Sequence, residues 1–143
     1  MSDLQIPFKI KSIATTEFAT IKNFHKNGDE IGISTGFNFG VNHESHTVAV
    51  LFDLAFESNK IPFVILKIIM EFDVIPAAFK KFKNKNSKNI TIPKEFLTHL
   101  AALTVSTARG ILHTKLEGTE LNYLLLPALN VSDIITKDIE FKS

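Results

Sequence analysis

TVAVLFDLAFESNKIPFVILKIIMEFDV, residues 47–74, decides the fold. Val48, Val50, Phe52, Leu54 and Phe56 recur at every second position, with Ala49, Leu51, Asp53 and Ala55 between them. After Ser58-Asn59-Lys60 the period resumes, setting Val64, Leu66, Ile68, Met70 and Phe72 against Phe63, Ile65, Lys67, Ile69, Glu71 and Asp73. A period of two places alternate side chains on opposite faces of a strand. A short polar link between two such runs makes an antiparallel hairpin. The second row on each strand is more apolar than a face left to water. That points to a partner subunit or a bound polypeptide on part of it.

Upstream, Ile31–Val41 alternates most cleanly. Ile31, Ile33, Thr35, Phe37, Phe39 and Val41 fall on one face, and Gly32, Ser34, Gly36, Asn38 and Gly40 on the other. Small residues there either admit a second layer close to the backbone or mark a weak strand. A first strand runs from about Pro7 to Ile21, with Phe8, Ile10, Ser12 and Ala14 against Lys9, Lys11, Ile13 and Thr15. Polar stretches at His25–Glu30, with an Asn-Gly turn signal, and at Asn42–Ser45 separate these strands. The expected sheet is a four-stranded antiparallel meander.

Downstream, residues 75–90 form one long irregular connection, rich in lysine and carrying Phe79 and Phe82. Connections of this length in a compact domain are often functional. Residues 93–117 then read as one helix. Pro93 sits in its first turn, Glu95 complements its dipole, and Gly118 ends it. Leu97, Ala101, Thr104, Ala108 and Ile111 form an apolar stripe, widened by Phe96, Leu100, Leu103 and Thr107. About 37 Å of helix is enough to cross four strands. Gly110 marks either close packing or a break. Val131–Ser143 reads as a short helical or extended segment ending in Ile139-Glu140-Phe141. The fold class is therefore α+β, with the long helix and a short C-terminal helix on one face of the sheet.

Composition narrows the function. The chain has 143 residues, the length of a single domain (1–143), and no cysteine, which fits a reducing compartment. Its N-terminus has no signal-peptide pattern, and its richest apolar run, Ile61–Met70, is broken by Pro62 and Lys67. A cytoplasmic protein without membrane insertion is expected. Arg109 is the sole arginine among 16 basic residues, which argues against specific nucleic-acid recognition. Thirteen Phe, one Tyr and no Trp supply apolar area without polar handles. His43-x-x-His46 with Glu44 is at most a fragment of a metal site. No phosphate loop, His-Glu-x-x-His or Gly-x-Ser-x-Gly pattern is present, so neither an enzyme nor a cofactor is expected.

The order of elements resembles the SecB-type export chaperones. Phe8-Lys-Ile-Lys-Ser-Ile13, the four strands, the long crossover and Arg109-Gly110 carry the likeness, and Leu126-Pro-Ala-Leu-Asn-Val131 is its sharpest piece. This chain has extra residues between Gly110 and Leu121. The resemblance implies ATP-independent binding of unfolded or precursor polypeptides in apolar grooves, by a homo-oligomeric dimer of dimers. By position it implies client contacts from Phe72, Val74, Phe79 and Phe82 on the crossover side. Leu124, Leu126 and Leu129 would serve on the helix-connection side. Glu17 falls where the family docks its motor partner, SecA, but Phe63–Lys67 lacks the matching carboxylate and the last residues lack a basic tail. A SecB-like chaperone dedicated to one client, such as an antitoxin, is the alternative. A small apolar-ligand-binding domain is the other.

Overall fold

The computed structural model describes residues 6–21 and 30–142. Strands form where alternation predicts them: β1 Phe8–Thr20, β2 Ile31–Asn42, β3 Thr47–Ser58 and β4 Ile61–Val74. All pairings are antiparallel, and the order across the sheet is β1-β4-β3-β2. Thus β2, β3 and β4 run as a meander, and β1 sits outside β4 rather than beside β2. The polar stretch expected to join β1 to β2 lies, except for Glu30, outside the described residues. Asn59 and Lys60 both have positive φ, 53° and 68°, the backbone of a type I′ two-residue turn whose twist suits β3–β4. Pro62 stands where the β3–β4 register shifts, a position that tolerates its missing N–H.

Two bulges change the reading of β1. Register shifts fall between Ile10 and Ser12 and between Thr15 and Glu17. Each inserts one residue and reverses the parity of the residues after it. Residues paired across the ladder share a face. Phe8, Ile10, Ile13, Thr15 and Phe18 therefore lie with Val74, Phe72, Met70, Ile68 and Leu66. Ser12 and Ala14 go to the opposite face, where Ser12 Oγ donates to Glu71 Oε1 at 2.7 Å. Simple alternation groups these two with Ile10 instead.

The crossover is more ordered than its composition suggests. Pro76 starts a short helix, α1 (Pro76–Lys80), as a first-turn proline that needs no N–H partner. A turn follows, and β5 (Ile90–Ile92) then leads into α2 (Lys94–Leu116). Pro93 is the residue before α2 rather than its first. The helix runs about 34 Å through Gly110, around which a side chain would meet open space. Gly118, at φ +79°, takes the left-handed position after its end. Next come α3 (Val131–Ile134) and β6 (Ile139–Phe141), which pairs antiparallel with β5.

The core lies between one face of the sheet and α2. Val48, Val50, Phe52, Leu54 and Phe56 are buried, as are Val64, Leu66, Ile68, Met70 and Phe72. From above, α2 inserts Phe96, Leu97, Leu100, Ala101, Thr104, Val105, Ala108, Leu112 and Leu116. The predicted stripe is rotated slightly, so Leu103, Thr107 and Ile111 are half-buried at its margin. Thr104 is enclosed, and its hydroxyl donates to the Leu100 carbonyl one turn back (2.8 Å). The opposite sheet face is open, with Leu51, Lys67 and Glu17 exposed on it.

Phe72 is 0% exposed and packs edge-on against Phe8 at 5.7 Å. Truncating Phe72→Ala removes a fully enclosed ring, so urea denaturation is expected to show a loss of about 3–5 kcal/mol.

Candidate polypeptide-binding surface

Most of the side chains expected to touch a client lie inside the subunit. Phe72 and Val74 are on the covered face of β4 and belong to the core. Phe79 is buried among His43, His46 and Phe82, with ring centroids 6.5, 5.1 and 5.7 Å away. Phe82 is buried too, 5.8 Å from Phe96. In the helix connection, Leu124 and Leu126 point inward, Leu129 is half-buried, and Tyr123 and Leu125 point out, Leu125 being 61% exposed. The resemblance places these residues by position along the chain, and position does not say which side chains another element of the same subunit covers.

Arg109 explains why the connection turns those leucines inward. Its Nε donates to the Leu126 carbonyl and its Nη2 to the Pro127 carbonyl, both at 3.0 Å. A planar guanidinium can serve two neighbouring carbonyls from one position, which an ammonium on a flexible stem does less well. The chain's single arginine thereby clamps the proline-containing segment to α2. Sequence reading singles out the residue but not this role.

One accessible apolar row runs along β1. Phe8, Ile10, Ile13 and Phe18 share the helix-side face of this edge strand. Ile10 and Ile13 stand 49% and 50% exposed. At the strand's start, His99 of α2 meets Phe8 edge-on at 5.6 Å. Near its end, Lys115 Nζ lies 5.3 Å from the Phe18 ring centroid, within cation–π range. Strand and helix thus run side by side in the same direction, with the apolar row between them.

A cavity opens at each end of this row. One, of about 620 Å³, is lined by Phe8, His46, Val74, Ile75 and Pro76 and also by Lys9, Lys11 and Asp73, so it reaches round the sheet end to the open face. The other, of about 400 Å³, is bounded by Phe18, Leu116, Thr119 and Glu120. From Phe8 to Phe18 the row matches Val74 to Leu66 on β4 and extends roughly 27 Å, the span of about eight extended residues. A third cavity, of about 450 Å³, lies between Phe37 and Phe39 of β2 and Ile134, Ile135 and Ile139. Two bulges hide the β1 row from the sequence. Its one visible signal is the apolar character of Phe8, Ile10 and Ile13 in a strand otherwise rich in Lys, Thr and Ala.

Charge distributes differently on the open face. Glu17 Oε1 lies 3.5 Å from Lys67 Nζ, both about half-exposed. Asp73 accepts from the Thr47 hydroxyl at 3.0 Å. Among the described residues, no three His, Cys, Asp or Glu side chains stand close enough together to hold a metal ion. His43 Nε2 instead lies 3.2 Å from the Lys142 carbonyl oxygen. Among the described residues, no helix is long and apolar enough to cross a membrane.

An antiparallel sheet with one long helix on a single face, and an apolar row left open beside that helix, defines an α+β fold with a surface groove. Among solved structures, this fold is similar to that of the SecB-like chaperone Rv1957 of Mycobacterium tuberculosis, in complex with a ChAD peptide from the Rv1956 HigA1 antitoxin. The TM-score is 0.51 and the identity 16%, over 85% of this chain and 90% of that one. At that identity the likeness is one of fold. No protein-family model and no curated protein matches the chain.

Arg109→Lys is expected to free the helix connection. An ammonium keeps at most one of the two charge-assisted bonds, and losing the other costs about 1.5–3 kcal/mol in urea denaturation. Limited proteolysis then gains cuts between residues 119 and 130, and Arg109→Ala behaves the same way.

Proposed function

We propose that this protein is a cytoplasmic, ATP-independent holdase that binds non-native polypeptides along β1. The observation that carries the reading is the row Phe8, Ile10, Ile13 and Phe18 beside α2, with Ile10 and Ile13 half-exposed between the two half-buried rings and a cavity at each end. Burial of apolar side chains is non-directional and needs no particular sequence, so such a row selects extended, apolar chain segments. The fold likeness to a SecB-like chaperone supports the same class. Copies of the chain assemble as a dimer of dimers in this reading, and the open sheet face with exposed Leu51 is available for contacts between them.

A second reading has its own support. The similar solved structure is a chaperone in complex with an antitoxin peptide. A chaperone dedicated to one such client would use the same row with a narrower choice of partner. For export, the support is thinner. Glu17, the carboxylate expected to meet SecA, is already within ion-pair distance of Lys67. A pull-down against SecA, and a second against the polypeptides that co-purify with the chain, separates export, single-client and general roles.

The main test uses light scattering from an unfolded protein as it refolds, without nucleotide. The parent chain is expected to suppress aggregation near stoichiometric amounts. Undiminished scattering at excess chain rejects the holdase. In Ile10→Ser/Ile13→Ser, each change removes about 1 kcal/mol of apolar contact from a half-exposed isoleucine. Together they are expected to weaken client affinity roughly thirtyfold, with little change in urea stability.

A further inference from the structure

The crossover is built as three short lanes of extended chain. β5 is the middle one. On one side, Thr91 N–H donates to the Phe82 carbonyl (2.8 Å), and Lys83 bridges to Ile90. On the other side lies β6, which pairs Ile139, Glu140 and Phe141 with Ile92, Thr91 and Ile90. Ile90 and Ile92 are buried, whereas Ile139 and Phe141 are only half-buried and Glu140 is exposed. Three residue pairs make a very short strand, and this one arrives through the exposed residues Thr136 and Lys137.

Ile139 and Phe141 pack at the margin of the core, His43 Nε2 lies 3.2 Å from the Lys142 carbonyl oxygen, and the remaining attachments are polar. The side-chain amides of Asn84 and Asn89 donate to Glu140 Oε2 at 2.8 and 3.2 Å. Asp138 Oδ1 accepts the Lys94 N–H at the start of α2 (2.9 Å). All of these polar groups are at the surface, where water can replace each partner at small net cost. A strand held this way opens locally far more readily than the central sheet.

We propose that the β5 edge is a second polypeptide-binding lane, and that β6 is its built-in occupant. Resting on the holdase reading, the inference adds where and how a client backbone is held. The ligand is an extended segment of pattern apolar–acidic–apolar, as in Ile139-Glu140-Phe141. Its backbone pairs with Ile90 and Ile92, its apolar side chains take the positions of Ile139 and Phe141, and its carboxylate meets Asn84 and Asn89. Recognition of this kind is strand addition, with main-chain bonds for affinity and alternate side chains for choice. A client enters by displacing β6.

A disulfide can lock the lane. Thr91 N–H points toward Phe82, so Thr91 and Glu140 form a non-hydrogen-bonded pair with Cα atoms about 4.5 Å apart, within disulfide reach. The chain has no other cysteine to interfere. In full-length Thr91→Cys/Glu140→Cys, the reduced form is expected to bind a reduced, carboxymethylated protein at least tenfold more tightly than the oxidised form. Added reductant should restore binding. Equal affinity in both redox states overturns the proposal.

A client-independent arm uses a fluorescent hexapeptide with the sequence of residues 137–142. It is expected to bind Ile139→Ser/Phe141→Ser at least tenfold more tightly than the parent, and not to bind the oxidised lock. No binding to the folded, opened variant overturns the lane; if that variant does not fold, the redox comparison decides. Hexapeptide binding without binding of any non-native protein keeps the lane and rejects the holdase.

Discussion

One helix cannot cover four strands. Three inter-strand spacings of about 4.8 Å put the outer strands ~14 Å apart, whereas a helix with its side chains is about 10 Å wide. Here α2 settles over the centre of the sheet, where the longest apolar rows, those of β3 and β4, lie beneath it. The two flanks then depend on what else the chain supplies. On the β2 side, α3 and the residues after it approach Phe37 and Phe39. On the β1 side, nothing comparable arrives among the described residues, where Ile10 and Ile13 are half in water. The groove on which the functional reading rests arises from this mismatch of widths.

The parts of the fold set by local pattern were legible. β4 has the boundaries its alternation implied, and α2 falls within one residue of the expected span. What depends on distant partners was not. β1 pairs with β4 through ladder contacts 44 to 66 residues apart, and no turn signal encodes that choice. A bulge residue such as Lys11 resembles any other strand residue in sequence, yet it moves Ile13 to the helix side. β5 and β6, three residues each, are too short to show a period.

The candidate site was legible in kind but not in place. Apolar residues in excess of one covered face were evident. Their exposure was not, because it depends on where Arg109 pins the helix connection and on which row faces α2. Phe79 and Phe82 illustrate the point. Set among lysines in a long connection, they read as surface residues. In the structure they anchor that connection to the core through Phe96 and His46, and the lysines Lys80, Lys81 and Lys83 face water.

The β1 row and the β5 edge differ in what they measure in a bound chain. The row offers apolar area and bare cavities, so its attraction grows with the greasiness of a segment and is indifferent to backbone shape. Strand pairing at β5 requires an extended backbone with free N–H and C=O groups, and alternate side chains set the choice of segment. A folded protein fails both requirements, since its apolar side chains are buried and its backbone groups are paired. An unfolded chain meets both wherever it carries an extended apolar–acidic–apolar segment. Two weak contacts joined by one flexible client raise the apparent affinity through effective concentration, provided that the segment between them spans the gap. On that proposal, long non-native chains are favoured over short peptides, and the choice among segments rests on the carboxylate that Asn84 and Asn89 receive.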